Sequence, residues 1–213
     1  MFGYVYNQIL YLMLKRISYL ILSLLLTNCS HYVLSSTGYT RPPEKYKFPY
    51  SKHTKKLHTN QIIDTTAIYY LHDSYFTSGD GNHEIKKYKR TDAFIRFYDD
   101  GRLKIQSSRG EYPKIEDINN INNGIVGYYL LKGNQIKIQV YSDIDAGSNQ
   151  LKYGYIDENK NLIIYDANPR TYISIFNLFS EQNGRKKMEK AYYGKKEYKK
   201  IKVEGIIYEK PNW

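Results

Sequence analysis

The chain has 213 residues, enough for one domain with a tail, and a formal net charge of +11. Its single cysteine, Cys29, excludes an intramolecular disulfide, so any folded part must be stable from its core and backbone ladder alone. A quarter of the residues are charged, yet the apolar ones cluster sharply near the start.

Residues 17–26 read Ile-Ser-Tyr-Leu-Ile-Leu-Ser-Leu-Leu-Leu. A membrane span takes roughly 20 apolar residues, so this run is short for one and has the length of a signal-peptide apolar region. Lys15 and Arg16 precede it as the positive flank, and Cys29 follows it. Residues 1–12 are uncharged and fit a signal poorly, whereas Met13 opens a tidy one, so Met13 is read as the true start. The competing reading is a longer apolar anchor over residues 2–26. Two charges in mid-span would cost about 2.5–3.5 kcal/mol each, which favours the signal.

Leu26-Thr27-Asn28-Cys29 resembles the lipobox of bacterial lipoproteins: a basic flank, an apolar run, small or polar residues, then one cysteine. Asn28 stands where that family usually has Gly, Ala or Ser. The resemblance implies that the Cys29 thiol receives a diacylglycerol, that the signal peptide (residues 1–28) is cut away, and that the new amine is acylated, for example by palmitate. Membrane lipid is then a partner through the acyl chains, since one chain binds marginally and two or three hold firmly. Ser30, rather than Asp, after the cysteine implies the outer membrane in a cell that has two.

Residues 30–66 show no sustained period and carry Pro42, Pro43 and Pro49 among Ser, Thr and Lys. Adjacent prolines favour extended, poorly packed backbone. Residues 29–66 are therefore read as the lipidated cysteine and an extended tether. The alternative is a partly docked arm with a short strand.

From Ala67 onward the pattern is β. Residues 93–98 and 102–107 flank Asp99-Asp100-Gly101. Residues 124–131 and 135–141 flank Lys132-Gly133-Asn134, and residues 151–156 and 162–165 flank a turn from Asp157 to Asn161. Gly and Asn suit tight hairpin turns because they tolerate positive φ. The flanks alternate: Ile136, Ile138 and Val140 face one way, Lys137 and Gln139 the other; Leu103 and Ile105 alternate with Arg102, Lys104 and Gln106. Period two with one polar face predicts an antiparallel sheet wet on one side. Further strands are predicted at residues 67–72, 172–176 and 203–208, with a helical turn within 115–122. Open edges invite aggregation, so a meander this long must close or fold over. The expected fold is mostly β: over residues 67–180, an antiparallel meander of about eight strands forming a small barrel or strongly curled sheet.

Gly127-Tyr128-Tyr129, then an apolar strand after Gly133-Asn134, resembles the small lipocalin-like domains of bacterial lipoproteins over residues 67–177. That resemblance implies an up-and-down barrel. The Gly-X-Trp signature of lipocalins is not in the chain, whose one tryptophan is Trp213.

The histidines, His31, His53, His58, His72 and His83, have no zinc spacing. Asp80, Asn82 and Glu84 alternate as calcium ligands can, but an EF-hand loop needs more, and the stretch reads as a polar loop. Asp99, Asp100, Asp143, Asp145, Asp157 and Glu158 fall in turns or loops, which suit Asp backbone chemistry. No catalytic residue, metal ligand or cofactor is called for.

Residues 181–213 form a basic, Tyr-rich segment with room for a last strand. Between residues 185 and 202, nine Lys or Arg stand against Glu189 and Glu197. Arg185, Lys186, Lys187, Lys195, Lys196, Lys199 and Lys200 are candidate contacts for an anionic surface, against the reading of a solvated segment. Nucleic acid is not an expected partner of an exported protein. The sequence points to a membrane-anchored envelope lipoprotein acting as a non-catalytic binding or structural module, with a small hydrophobic ligand as one candidate partner. The alternative is a hydrolase of an envelope or extracellular substrate, which would need carboxylates or histidines gathered in a cleft.

Overall fold

The computed structural model describes residues 11–21, 32–44, 46–56, 62–77, 85–88, 92–108, 112–142, 147–167, 192–209, 211 and 213. The chain divides into two units, Met1–His31 and Tyr32–Trp213. In the first, residues 11–21 are helical, with Leu12, Met13, Leu14, Ile17 and Leu20 exposed. Among the described residues no helix is long and apolar enough to cross a membrane.

The second unit is built on a closed antiparallel barrel of eight strands. Two short strands, β1 (Val33–Leu34) and β2 (Thr40–Arg41), pair outside it. The barrel begins with β3 (Ala67–Thr77). β4 (Ile85–Tyr88) and β5 (Ala93–Phe97) pair with successive stretches of β3 and together form one interrupted strand. There follow β6 (Arg102–Ser107), β7 (Ile125–Lys132), β8 (Gln135–Ser142), β9 (Ser148–Ile156) and β10 (Leu162–Ala167). The last strand, β11 (Tyr192–Lys202), pairs with β10 on one edge and β3 on the other, and so closes the ring. Closure removes the open edges of the meander.

The three predicted hairpins form as β5–β6, β7–β8 and β9–β10. Their turns take the left-handed backbone they need at Gly101 (φ 84°), Gly133 (φ 57°) and, without glycine, Lys160 (φ 63°). In the third turn the Asp157 carboxylate accepts a 2.7 Å hydrogen bond from the Asn161 amide, which holds the reversal in place of a glycine. Ile115–Asn119 forms a short helix within the predicted helical turn. The predicted strand at residues 172–176 and the polar loop at 78–84 lie outside the described residues.

Three expectations differ from the structure. Residues 203–208 are not a strand; the last strand lies just before them. Val203 and Ile206 instead pack outside the barrel against Ile68, Tyr70, Phe94 and Ile118. The stretch read as a tether is docked over much of its length. Phe48 and Tyr50 are buried against Val126, Tyr128 and Tyr141, with Tyr46 packed beside them. The Tyr50 amide donates to the Gln139 side chain at 3.1 Å.

That docking changes the face expected to be wet. The alternation of β6 and β8 holds, but Lys104, Gln106, Lys137 and Gln139 are buried, Lys104 against the short helix and Gln139 against the arm. Such groups are tolerable only when bonded. Lys104 Nζ donates to the Asp117 and Asn120 carbonyls at 2.8 and 2.7 Å. Arg96 reaches the Ile118 carbonyl at 2.8 Å, and Arg41 the Asn122 and Gly124 carbonyls at 2.6 Å. Cations thus meet the carbonyl-rich end of the short helix and the turn after it, where the backbone dipoles favour positive charge. Arg102 binds the Pro211 carbonyl at 2.6 Å and pins the tail.

Candidate ligand-binding site

Because side chains alternate along each strand, the ladder register fixes which residues point into the barrel. On β8 these are Ile136, Ile138, Val140 and Ser142; on β9, opposite them, Gly154, Lys152, Gln150 and Ser148. On β10 they are Leu162, Ile164 and Asp166, paired with Tyr198, Lys196 and Gly194 of β11. From the tight-turn end of the barrel to the other, the β8, β10 and β11 series pass from apolar to polar or small, and the β9 residues opposite β8 are small or polar throughout.

At the turn end the interior is filled. Tyr69, Phe97 and Tyr129 form a chain of edge-to-face rings with centroids 5.2 and 4.9 Å apart. Leu103, Ile136, Ile138, Ile156 and Leu162 pack around them, and Ile63 belongs to the same cluster. The Tyr129 hydroxyl donates to the Tyr98 carbonyl at 2.8 Å, so even this polar atom is satisfied.

Toward the other end lies a cavity of about 200 Å³. Ile105, Ile125, Val140 and Ile164 form its apolar wall. Ser142, Gln150, Lys152 and Lys196 supply its polar side. Tyr198 lines the cavity and also belongs to the packed cluster, so it marks the floor between them. Burial, with the Asp166 charge adding to it, raises the Tyr198 hydroxyl above its usual range and keeps it neutral.

Asp166 organises the polar side. Its Oδ1 is 2.6 Å from Lys152 Nζ and its Oδ2 is 2.9 Å from Lys196 Nζ. Burial alone would raise this carboxyl; the two ammonium groups and their hydrogen bonds outweigh it, and the net shift is downward. Ser74 pairs with Lys196 across β3 and β11, and so shares its face of the sheet. The Ser74 hydroxyl is buried and has no hydrogen-bond partner.

No family model, curated protein or solved structure matches the chain. The chemistry of the site is therefore read from its own residues.

The predicted site residues are distributed differently from the patch the sequence implied. Leu26, Thr27, Asn28 and Cys29, and likewise Arg185, Lys186 and Lys187, lie outside the described residues. Lys195, Lys196, Lys199 and Lys200 sit on β11, whose alternation separates them. Lys196 faces the cavity. Lys195 lies on the opposite face, 2.6 Å from Glu197 and over the Tyr75 ring at 5.1 Å. Lys199 is exposed, and Lys200 lies 3.5 Å from the Asp64 carboxylate. Sequence reasoning missed Lys152, Asp166 and Tyr198. The available signal was phase: Asp166 continues the inward series of Leu162 and Ile164, and Lys152 that of Gly154 and Ile156.

Proposed function

We propose that this chain is a membrane-anchored envelope lipoprotein, held by acyl chains on Cys29 in the outer membrane, whose barrel is a non-catalytic binding module for a small ligand. The observation that carries the binding half is the cavity at the loop end of a barrel whose turn end is packed. An eight-stranded ring has room for packed side chains or one small ligand, and here it is divided between the two. A purely structural barrel has no need of a hollow end with a charged lining. Asp166, ionised and held by two lysines, is a fixed charge rather than a proton donor or nucleophile, which favours binding over hydrolysis.

The binding half is tested by methyl NMR of the isoleucines during titration with a panel of short aliphatic compounds. Shifts confined to Ile105, Ile125 and Ile164, with Ile136, Ile138 and Ile156 unmoved, support it. No shift at the cavity isoleucines with any compound rejects it. The anchor is tested by metabolic labelling with a palmitate analogue: label on the wild type and none on Cys29→Ala supports it, and an unlabelled wild type rejects it.

A further inference from the structure

We infer that the cavity selects a small amphiphile carrying a single negative charge, an aliphatic monocarboxylate, whose head sits on Lys152 and Lys196 beside Asp166. The inference rests on the binding-module reading and adds the chemistry of the ligand.

Charge is the first argument. Among the described residues two ammonium groups face one carboxylate, which leaves one positive charge uncompensated at the edge of an apolar cavity. A neutral apolar ligand would shut that charge away from water without a partner, which is unfavourable. A cation would add like charge. A dianion would overshoot by one. A monoanion brings the group of charges to balance.

Donors are the second argument. Each ammonium carries three N–H donors and gives one to Asp166. The remaining donors have no protein acceptor among the described residues, and the Ser74 hydroxyl on the same face is buried without a partner. A carboxylate offers two oxygens and several lone pairs to these donors, in the charge-assisted bonds that are strongest. Asp166 cannot serve them further, because each of its oxygens already holds one lysine.

Size is the third. About 200 Å³ is below the range of roughly 300–1,000 Å³ of pockets for drug-sized ligands, so the apolar body is short. Ile105, Ile125, Val140 and Ile164 form the wall it lies against.

The test is calorimetric titration of the full chain with octanoate, 1-octanol and octylammonium, which share a body and differ in head charge. Octanoate binds about tenfold or more tighter than octanol, and octylammonium weakest of the three. Lys152→Gln and Lys196→Gln each remove the preference for octanoate over octanol. Asp166→Asn acts in the opposite direction and tightens octanoate, a sign that damage to the fold would not produce. If that variant does not fold, the two lysine variants decide. Equal or tighter binding of octanol, or a preference for octylammonium, overturns the anion assignment and leaves the binding module standing. Failure of all three probes to bind removes both.

Discussion

The two ends of the barrel are made from the same eight strands and are filled in opposite ways. At the tight-turn end, Phe97, Leu103, Ile136 and Leu162 are wholly buried in one cluster. At the other end the inward positions of the same strands are Ser142, Gln150, Lys152, Asp166 and Gly194. An antiparallel barrel can therefore hold a plug and a receptacle in one tube, by changing inward residue type along β8, β9, β10 and β11. The plug supplies the stability that lets the receptacle stay unfilled and charged.

The comparison breaks most visibly in the plug. Phe97→Ala removes a ring packed between Tyr69 and Tyr129 and costs about 3–5 kcal/mol in urea unfolding. Ile125→Ala at the rim, where the side chain is 37% exposed, costs about 1 kcal/mol or less. Similar losses at the two sites would erase the distinction.

Glycines report the same contrast. A Cβ at Gly154 would run into the Ile163 carbonyl oxygen, so Gly154→Ala must move the backbone between β9 and β10 and costs about 1–3 kcal/mol. At Gly194, beside the cavity, a Cβ would stand 3.4 Å from Asp166 and 3.6 Å from the Phe76 ring, ordinary contact. Gly194→Ala changes the midpoint little.

A third contrast lies between a buried charge held by opposite charges and one held by neutral carbonyl acceptors. Burial, with Arg96 nearby, pushes Lys104 on the outer face down to about 7. Its ordinary value in the unfolded chain is about 10.4. Between those values the unfolded chain binds more protons, so stability rises with pH across that window and levels off below it. Asp166 has the opposite signature: its folded value is depressed, so its contribution is full above an unfolded value of about 3.9 and is lost as pH falls through the folded one. Thermal melts of wild type and Lys104→Met should differ in slope between pH 7 and 10. Parallel curves would show that Lys104 stays charged in the fold.

The smallest effect belongs to the outside of β11. Lys195→Ala removes a partly exposed pair with Glu197 and changes stability by about 0.5 kcal/mol or less in the same urea assay.

Much of this architecture was legible. Gly101 and Gly133 punctuate hairpins whose flanks alternate cleanly, and those hairpins form. β11 was not legible as a strand because its composition, Tyr-Tyr-Gly-Lys-Lys-Glu-Tyr-Lys-Lys-Ile-Lys, has no apolar face; its two neighbours impose the extended backbone through the ladder. Reading it as one basic patch ignored the period of two, which sends Lys195 outward and Lys196 inward. The docked arm was hidden by its prolines, although Tyr46, Phe48 and Tyr50 alternate as a packed segment does. The site was missed for a further reason. Lys152 and Asp166 stand on the two strands of one hairpin, where phase alone could have placed them, but Lys196 joins them only through the pairing of β10 with β11, which no local pattern carries.

The most direct test of the plug and receptacle is a pair of overpacking variants on one strand, Ile138→Phe and Val140→Phe, compared by urea unfolding. Both positions point inward on β8, but Ile138 faces the packed cluster while Val140 also lines the cavity. The added volume at position 138 should destabilise by about 1–3 kcal/mol, and at position 140 by well under 1 kcal/mol because the ring has space to enter. Equal destabilisation at the two positions would contradict the account, since it would mean that the loop end is as full as the turn end.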